Sequence, residues 1–521
     1  MLAAMRGNRT ARPVSAEQAA ELVKSGDWVD YGFGLAQPDR FDRALGARAL
    51  ELSRVKIRSA LTVRPRAVLD ADPEGEHFLW FNWHFSAYDR KQHDAGRCNY
   101  IPMNFGEAPG YYRRFIDPVD VVCIKTAPMD EQGFFNLGCS TTYLRAMTER
   151  AQIIIVEACR AMPRVPGPDN ALHSSEVDFV IDGGTDPLPA ISAAPISPVE
   201  RQVARLIAAE IADGACLQVG IGGMPNAVCS LLRDANVRDL GIHTEMLVDG
   251  IVDLIEAGIV TNSRKRQDPG MTVFSFALGT ERLYRSIDGN PNVRACPVDY
   301  TNLPDNIARN DQVVSINNTT QIDLQGQAAS ESCGSRHVSG TGGQLQFVRG
   351  AYASAGGKSF ICLSSTYEKR GVRQSRVVAT LTPGNIVTTP RTDTMYVVTE
   401  YGIVNLKGRS VAERATALIS LAHPDFREEL AREARTNNLI PKGYALPKAI
   451  GMRGGVDERD RRPASRRGCC GRGLRTGCAV HAAAAQCSCR TAGAARGSGR
   501  YPGAGYRRGA AHGDPGRAHR P

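Results

Sequence analysis

The sequence predicts an α/β protein of two domains, residues 1–190 and 191–448, followed by a basic tail over 449–521. Three observations lead there. Short β-branched runs such as Asp120–Lys125 (DVVCIK) and Ile153–Glu157 (IIIVE) are bounded by polar or turn residues, as buried strands of a parallel sheet are. Segments of helical periodicity alternate with these runs. A proline-punctuated stretch, Pro187–Pro198, interrupts the alternation, which then begins again.

In chain order, the first helix starts at Ser15, where Gln18 completes a capping-box pattern. It ends at the Ser25-Gly26-Asp27 turn, which hands over to a strand at Trp28–Tyr31. Residues 129–133 form a turn between the two β-branched runs. After the proline stretch, Val203, Leu206, Ile207 and Ile211 recur at helical spacing, predicting a helix over 199–212 that stops at Asp213-Gly214. A strand at 216–219, a glycine-rich turn and a helix over 227–233 follow. Further strands are expected at 313–316, 359–363 and 395–399. Two C-terminal helices close the folded part, the first capped by Ser410 with Glu413, the second beginning after Pro424.

The net charge of +10 invites a nucleic-acid reading, but its placement argues against one. Residues 451–521 alone carry 15 Arg, no Lys and four acids, so the rest of the chain is close to neutral. That tail has no hydrophobic periodicity from Arg461 onward, and its five cysteines match no paired C-x-x-C spacing. Three readings compete: a disordered basic tail touching nucleic acid or membrane, a zinc or disulfide module, and a non-native reading frame of a GC-rich gene. The last is favoured, with neither fold nor function expected there and no nucleic-acid partner. Apolar residues at 42% and charged residues at 23% exclude wholesale disorder for the body. No run approaches about 18 consecutive apolar residues, so no membrane span is expected. The N-terminus lacks a signal-length apolar run, and nine cysteines are scattered singly, which fits buried thiols in a reducing cytoplasm.

Three segments carry chemistry. In 217–226 (LQVGIGGMPN) a strand runs through glycines into a helix, a geometry that offers backbone N–H groups to a phosphate or a developing oxyanion. Gly220 and Gly222 fit a dinucleotide fingerprint, but Pro225 stands where the third glycine belongs; a turn used only for tight packing is the alternative. In 241–250 (GIHTEMLVDG), Glu245 lies among apolar and small residues, where a carboxylate is costly without partners. A solvated surface Glu is the bland alternative, and His243 reads more readily as a hydrogen-bonded core histidine than as its partner. Residues 315–357 are dense in Asn, Gln, Ser, Thr and Gly, and the apolar positions Ile316, Ile322, Leu324, Leu345 and Phe347 favour ordered, site-lining loops over a linker.

Together GIGGMPNAV, GIHTEMLVDG, SINNTTQIDLQGQ, SGTGGQLQFVRGA and VVTEYGIVNLKGRS resemble the acetyl-CoA hydrolase/transferase family, in its 4-hydroxybutyrate and butyryl-CoA:acetate CoA-transferase branch. The resemblance covers roughly residues 12–445, with all five motifs in family order. It implies two similar α/β domains, a site between them and a homodimer. It also implies Glu245 as nucleophile, since the position other branches use is here Gln321, which cannot form an acyl anhydride. By the same correspondence Gly220, Ile221, Gly222, Gly223 and Met224 form the CoA-contacting and oxyanion loop. Gly342 and Lys369 match further CoA-contacting positions.

The implied chemistry passes CoA from an acyl-CoA to a small carboxylate of the acetate, butyrate, 4-hydroxybutyrate, succinate or itaconate type. Coenzyme A is then a substrate, and no cofactor or metal is called for. Glu245 must ionise at neutral pH to attack, so polar neighbours are expected around it. Acyl-CoA hydrolysis through the same glutamate is the first alternative. A nicotinamide oxidoreductase and a non-catalytic CoA- or nucleotide-binding protein are further ones. The aromatic segment 78–105 is expected to shape the acyl pocket.

Overall fold

A computed structural model describes residues 10–191, 195–220 and 223–442, all within one compact unit. Ile221, Gly222 and the 449–521 tail lie outside the described residues.

Two sheets organise the chain. The first has eight strands, all parallel, drawn from residues before the proline stretch. Its centre is Val121–Thr126 between Trp28–Phe33 and Ile153–Cys159. Every residue of Val121–Thr126 is buried, which is why it reads as an unbroken apolar run: helices and loops cover both faces. The second sheet, from residues after the stretch, has six strands. Cys216–Val219 lies between Gly241–Ile242 and Val313–Asn318, all parallel; Lys358–Cys362 and Tyr396–Thr399 continue the sheet. An antiparallel edge strand, Gly402–Asn405, returns from a tight turn, a hairpin the sequence reading did not contain.

Both halves open with the same unit. Ser15 and Ser197 each cap a helix in a full capping box, with Gln18 and Glu200 as the reciprocal partners. Each helix leads to a positive-φ glycine, Gly26 or Gly214, then to a central strand that ends in a G-x-G sequence. The helix expected over 199–212 is Pro198–Ala208. Ile211 falls just past it, where Glu210 N–H bonds the carbonyl of Ile207 in a tighter turn, and it is still buried. The helix expected over 227–233 is longer, Gly223–Asp234, because Gly223 and Met224 already belong to its first turn.

Charged residues inside the first half have identifiable partners. Glu157, in the middle of an apolar strand, accepts the backbone N–H groups of Asp39, Arg40 and Phe41 and so caps the helix Arg40–Ala47. Asp30 pairs bidentately with Arg58 and accepts the hydroxyl of Tyr112. Among the described residues are nine free cysteines; Cys333 is exposed and the other eight are buried. Among the described residues, no helix is long and apolar enough to cross a membrane.

Candidate active site

Parallel α/β sheets collect functional groups at the carboxyl ends of their strands. Here Cys216–Val219 and Gly241–Ile242 are parallel neighbours, so Gly220 and the segment 243–245 leave the second sheet at the same edge. The backbone around Glu245 is pinned on both sides. His243 N–H bonds the carbonyl of Leu217, Thr244 N–H that of Val273, and the Glu245 carbonyl accepts from Ser275 and Phe276 at 3.0 and 3.1 Å. The nucleophile candidate is thus carried on rigid backbone between two short strands, not on a free loop.

Two donors reach its carboxylate. Asn302 Nδ2 lies 2.5 Å from Glu245 Oε2. The backbone N–H of Gly343 is the second donor, at the start of the helix Gln344–Ala353, whose positive end favours a negative charge. The fit is tight: a β-carbon on Gly343 would lie 2.3 Å from Glu245 Oε2 and 2.4 Å from Asn302 Nδ2. Asn302 is held in turn by the Thr301 hydroxyl at 2.8 Å, and the Thr301 carbonyl accepts from His243 Nε2 at 2.9 Å.

His243 therefore has no hydrogen bond to Glu245. Burial pushes its pKa down to about 4, so it is a neutral core imidazole that steadies the Thr301–Asn302 backbone. The expectation that polar neighbours keep Glu245 an ordinary carboxylate needs correction. Burial raises its pKa to about 7, outweighing the opposing bonds from Asn302 and Gly343, so the protonated form is populated at neutral pH, as it would not be for an ordinary glutamate.

The first half supplies the other wall. Phe105 N–H bonds the carbonyl of Gly342 at 3.0 Å, and Gly106 N–H bonds Gln346 Oε1 at 2.8 Å. A β-carbon on Gly340 would meet the carbonyl of Trp83 at 2.1 Å, and one on Gly106 would meet both Asn302 and Gln346 at 2.7 Å. The site is a seam between the halves, closed by glycines where backbones nearly touch.

The expected residues are distributed as follows. Gly342 sits in the seam at φ +57°, facing His84, while its neighbour Gly343 makes the bond to Glu245. Gly220 ends the central strand, and Gly223 and Met224 open the helix behind it, where a β-carbon on Gly223 would collide with the carboxylate of Glu200. Lys369 stands exposed at the end of the hairpin Thr366–Lys369 and Val372–Ser375. The Gln321 amide oxygen accepts from Thr382 N–H and Asn385 Nδ2, and its Nε2 donates to the Thr382 hydroxyl. Asn302, Gly343, Gly106 and Gln346 were not foreseen. The paired glycines of 342–343 were a signal for one of them; Asn302 sits in no recognisable motif.

The comparisons agree with this architecture. The acetyl-CoA hydrolase/transferase N-terminal domain model matches residues 7–191, and the C-terminal domain model matches residues 279–434. The chain is 45% identical over 423 residues to a butyryl-CoA:acetate CoA-transferase of Anaerostipes caccae, covering 81% of this chain and 95% of that protein. It is 42% identical over 340 residues to a 4-hydroxybutyrate coenzyme A transferase of Clostridium kluyveri, covering 65% and 78%. RipA from Yersinia pestis superposes with a TM-score of 0.76 at 40% identity, over 82% of this chain and 98% of RipA. An acetyl-CoA hydrolase of Neurospora crassa is more distant, at 27% identity over 64% of this chain and 70% of that protein. The chain belongs to the acetyl-CoA hydrolase/transferase family, on its CoA-transferase side.

Proposed function

We propose that this protein moves CoA between an acyl-CoA and a small carboxylate, with Glu245 as the covalent relay. One observation carries this most: a carboxylate fixed in the seam by Asn302 and the Gly343 N–H, with no base or metal ligand bonded to it among the described residues. A carboxylate needs no base to attack. Its oxygen adds to the thioester carbonyl, and expulsion of CoA thiolate leaves an acyl–glutamyl anhydride. The thiolate then attacks the glutamyl carbonyl, releasing the acyl group as a free carboxylate and leaving a glutamyl-CoA thioester. An acceptor carboxylate attacks that thioester, CoA leaves again, and its attack on the new acyl carbonyl restores Glu245.

Each addition places negative charge on a carbonyl oxygen. Backbone donors in this seam are the groups available to hold it; loss of one such donor typically costs about 2.7–4 kcal/mol. The thioester exchanged is nearly equal in energy to the one formed, so the cycle needs no nucleotide and no cofactor beyond CoA itself. Butyrate or 4-hydroxybutyrate with acetate is the favoured pairing, by similarity to the relatives of that name. A homodimer is expected on the same grounds. Transfer is favoured over hydrolysis because the transferase relatives are nearer than the hydrolase one.

The test is chemical trapping. Incubation with butyryl-CoA followed by borohydride or hydroxylamine should change the mass of the peptide that contains Glu245. An unchanged peptide in an enzyme that still exchanges CoA would overturn the assignment. Acetate-dependent consumption of butyryl-CoA without net loss of thioester separates transfer from hydrolysis.

The raised pKa sets a pH dependence. Only the ionised carboxylate attacks, so kcat/KM should fall about tenfold per pH unit below pH ~7. A profile flat down to pH 5 would show that Glu245 titrates as an ordinary carboxylate.

A further inference from the structure

Glu331 is a buried carboxylate that the mechanism does not use, and it is ringed by hydroxyl donors. Tyr100 and Thr341 both donate to Oε2, at 2.9 and 3.0 Å, and Thr388 donates to Oε1 at 2.9 Å. Its backbone carbonyl also accepts the N–H of Val338, at the entry to the same loop. The donors come from three places: Tyr100 from the first half, Thr341 from the seam loop and Thr388 from behind the site. Thr341 precedes Gly342 and Gly343 directly. Neither glycine has a side chain and Gly342 adopts a left-handed backbone, so the turn is held from outside, by the Phe105 N–H on the Gly342 carbonyl and by Thr341 on Glu331.

We propose that Glu331 is a positioning residue, fixing the Gly342–Gly343 turn through Thr341 and tying it to the first half through Tyr100, so that the Gly343 N–H meets the Glu245 carboxylate. This rests on Glu245 as the nucleophile. All three hydroxyls donate inward to the two carboxylate oxygens, which fixes their orientations. Neither Glu331 nor its ring touches Glu245. The effect reaches the chemistry through placement of one backbone donor.

The experiment compares Thr341→Val, Thr341→Ser and Glu331→Gln with the parent, measuring kcat and KM for butyryl-CoA and trapping the glutamyl intermediate in each. Thr341→Val keeps the shape and loses the hydroxyl; Thr341→Ser keeps the hydroxyl. Displacement of a positioned donor predicts a fall in kcat of roughly ten- to a hundredfold in Thr341→Val, with KM within about twofold. Thr341→Ser should return kcat to within about threefold of the parent, and Glu331→Gln should fall with Thr341→Val. Parent-like kcat in Thr341→Val would overturn the proposal, as would a Thr341→Ser variant as slow as Thr341→Val. If the parent itself gives no mass change at Glu245, the nucleophile assignment fails instead. The trapping arm therefore separates the two.

Discussion

Replacing Glu245 by Gln should abolish CoA exchange, by roughly a thousandfold or more, while making the folded protein more stable at pH 8. The loss follows because an amide cannot form the anhydride, although its oxygen can still accept from Asn302 and Gly343. The gain follows from linkage. The folded-state pKa of Glu245 is raised by burial to about 7 from the ordinary glutamate value of 4.5, so the native state binds a proton more tightly than the unfolded chain does. Stability is therefore lost as pH rises from about 4.5 to 7 and stays lost above. That deficit is on the order of 2–3 kcal/mol at pH 8, and the neutral amide does not incur it. Thermal melts of both proteins at pH 4.5 and pH 8 should differ little at the lower pH and favour Glu245→Gln at the higher. Equal melts at pH 8 would mean the carboxylate is better solvated than its surroundings indicate.

Gly343→Ala should be nearly as damaging to turnover, and for a reason unrelated to backbone strain. Gly343 sits at φ −94°, a conformation alanine adopts freely. The obstacle is the methyl group, which would stand 2.3 Å from the nucleophilic oxygen and 2.4 Å from the nitrogen that holds it. One of them must move, and displacement of about 1 Å costs roughly a hundredfold in rate. Gly342→Ala makes the informative contrast. Its left-handed φ of +57° makes it a stability defect of about 1 kcal/mol, and the nearest neighbour of its methyl would be His84 at 3.4 Å. Turnover should collapse at 343 with little change in melting temperature, whereas 342 should show the reverse. A Gly343→Ala enzyme with parent-like kcat would show that Glu245 has room the geometry denies it.

The sequence carried the fold well where physics is local. Capping boxes at Ser15 and Ser410 and the β-branched runs at Asp120–Lys125 and Ile153–Glu157 are short-range signals, and the structure contains each cap and builds strands Val121–Thr126 and Ile153–Cys159 on the runs. Strands with mixed faces, such as Val55–Ala60 and Phe78–Asn82, gave no such signal, because Lys56, Arg58 and Asn82 interrupt their apolar runs, and the two cations find their partners only far along the chain, at Gly26 and Asp30. Glu245 was legible through its motif. Its surroundings were not: Asn302 is 57 positions away in sequence, and the Gly343 donor is a backbone group that any residue could supply were it not for the crowding. Its acidity was not legible either: the need to ionise implied polar neighbours, and Asn302 and the Gly343 N–H are there, but only the depth of the seam shows that desolvation outweighs them.

The placement of the cysteines matters for an enzyme that would work beside a free thiol. Each turnover as proposed passes through CoA thiolate, and where part of that thiol pool is oxidised to disulfide a protein thiolate can attack it, expelling CoA thiolate and forming a mixed disulfide, at a rate set by the protein thiol's thiolate fraction and access. Cys123, Cys139, Cys216, Cys229, Cys296 and Cys362 are sealed in the core with their thiol pKa values pushed up by burial, so they offer neither. Cys333 alone among the described cysteines meets solvent. Among the described residues, the core thiols are thereby shielded from exchange with that thiol, and Cys333 is the one cysteine left to meet it.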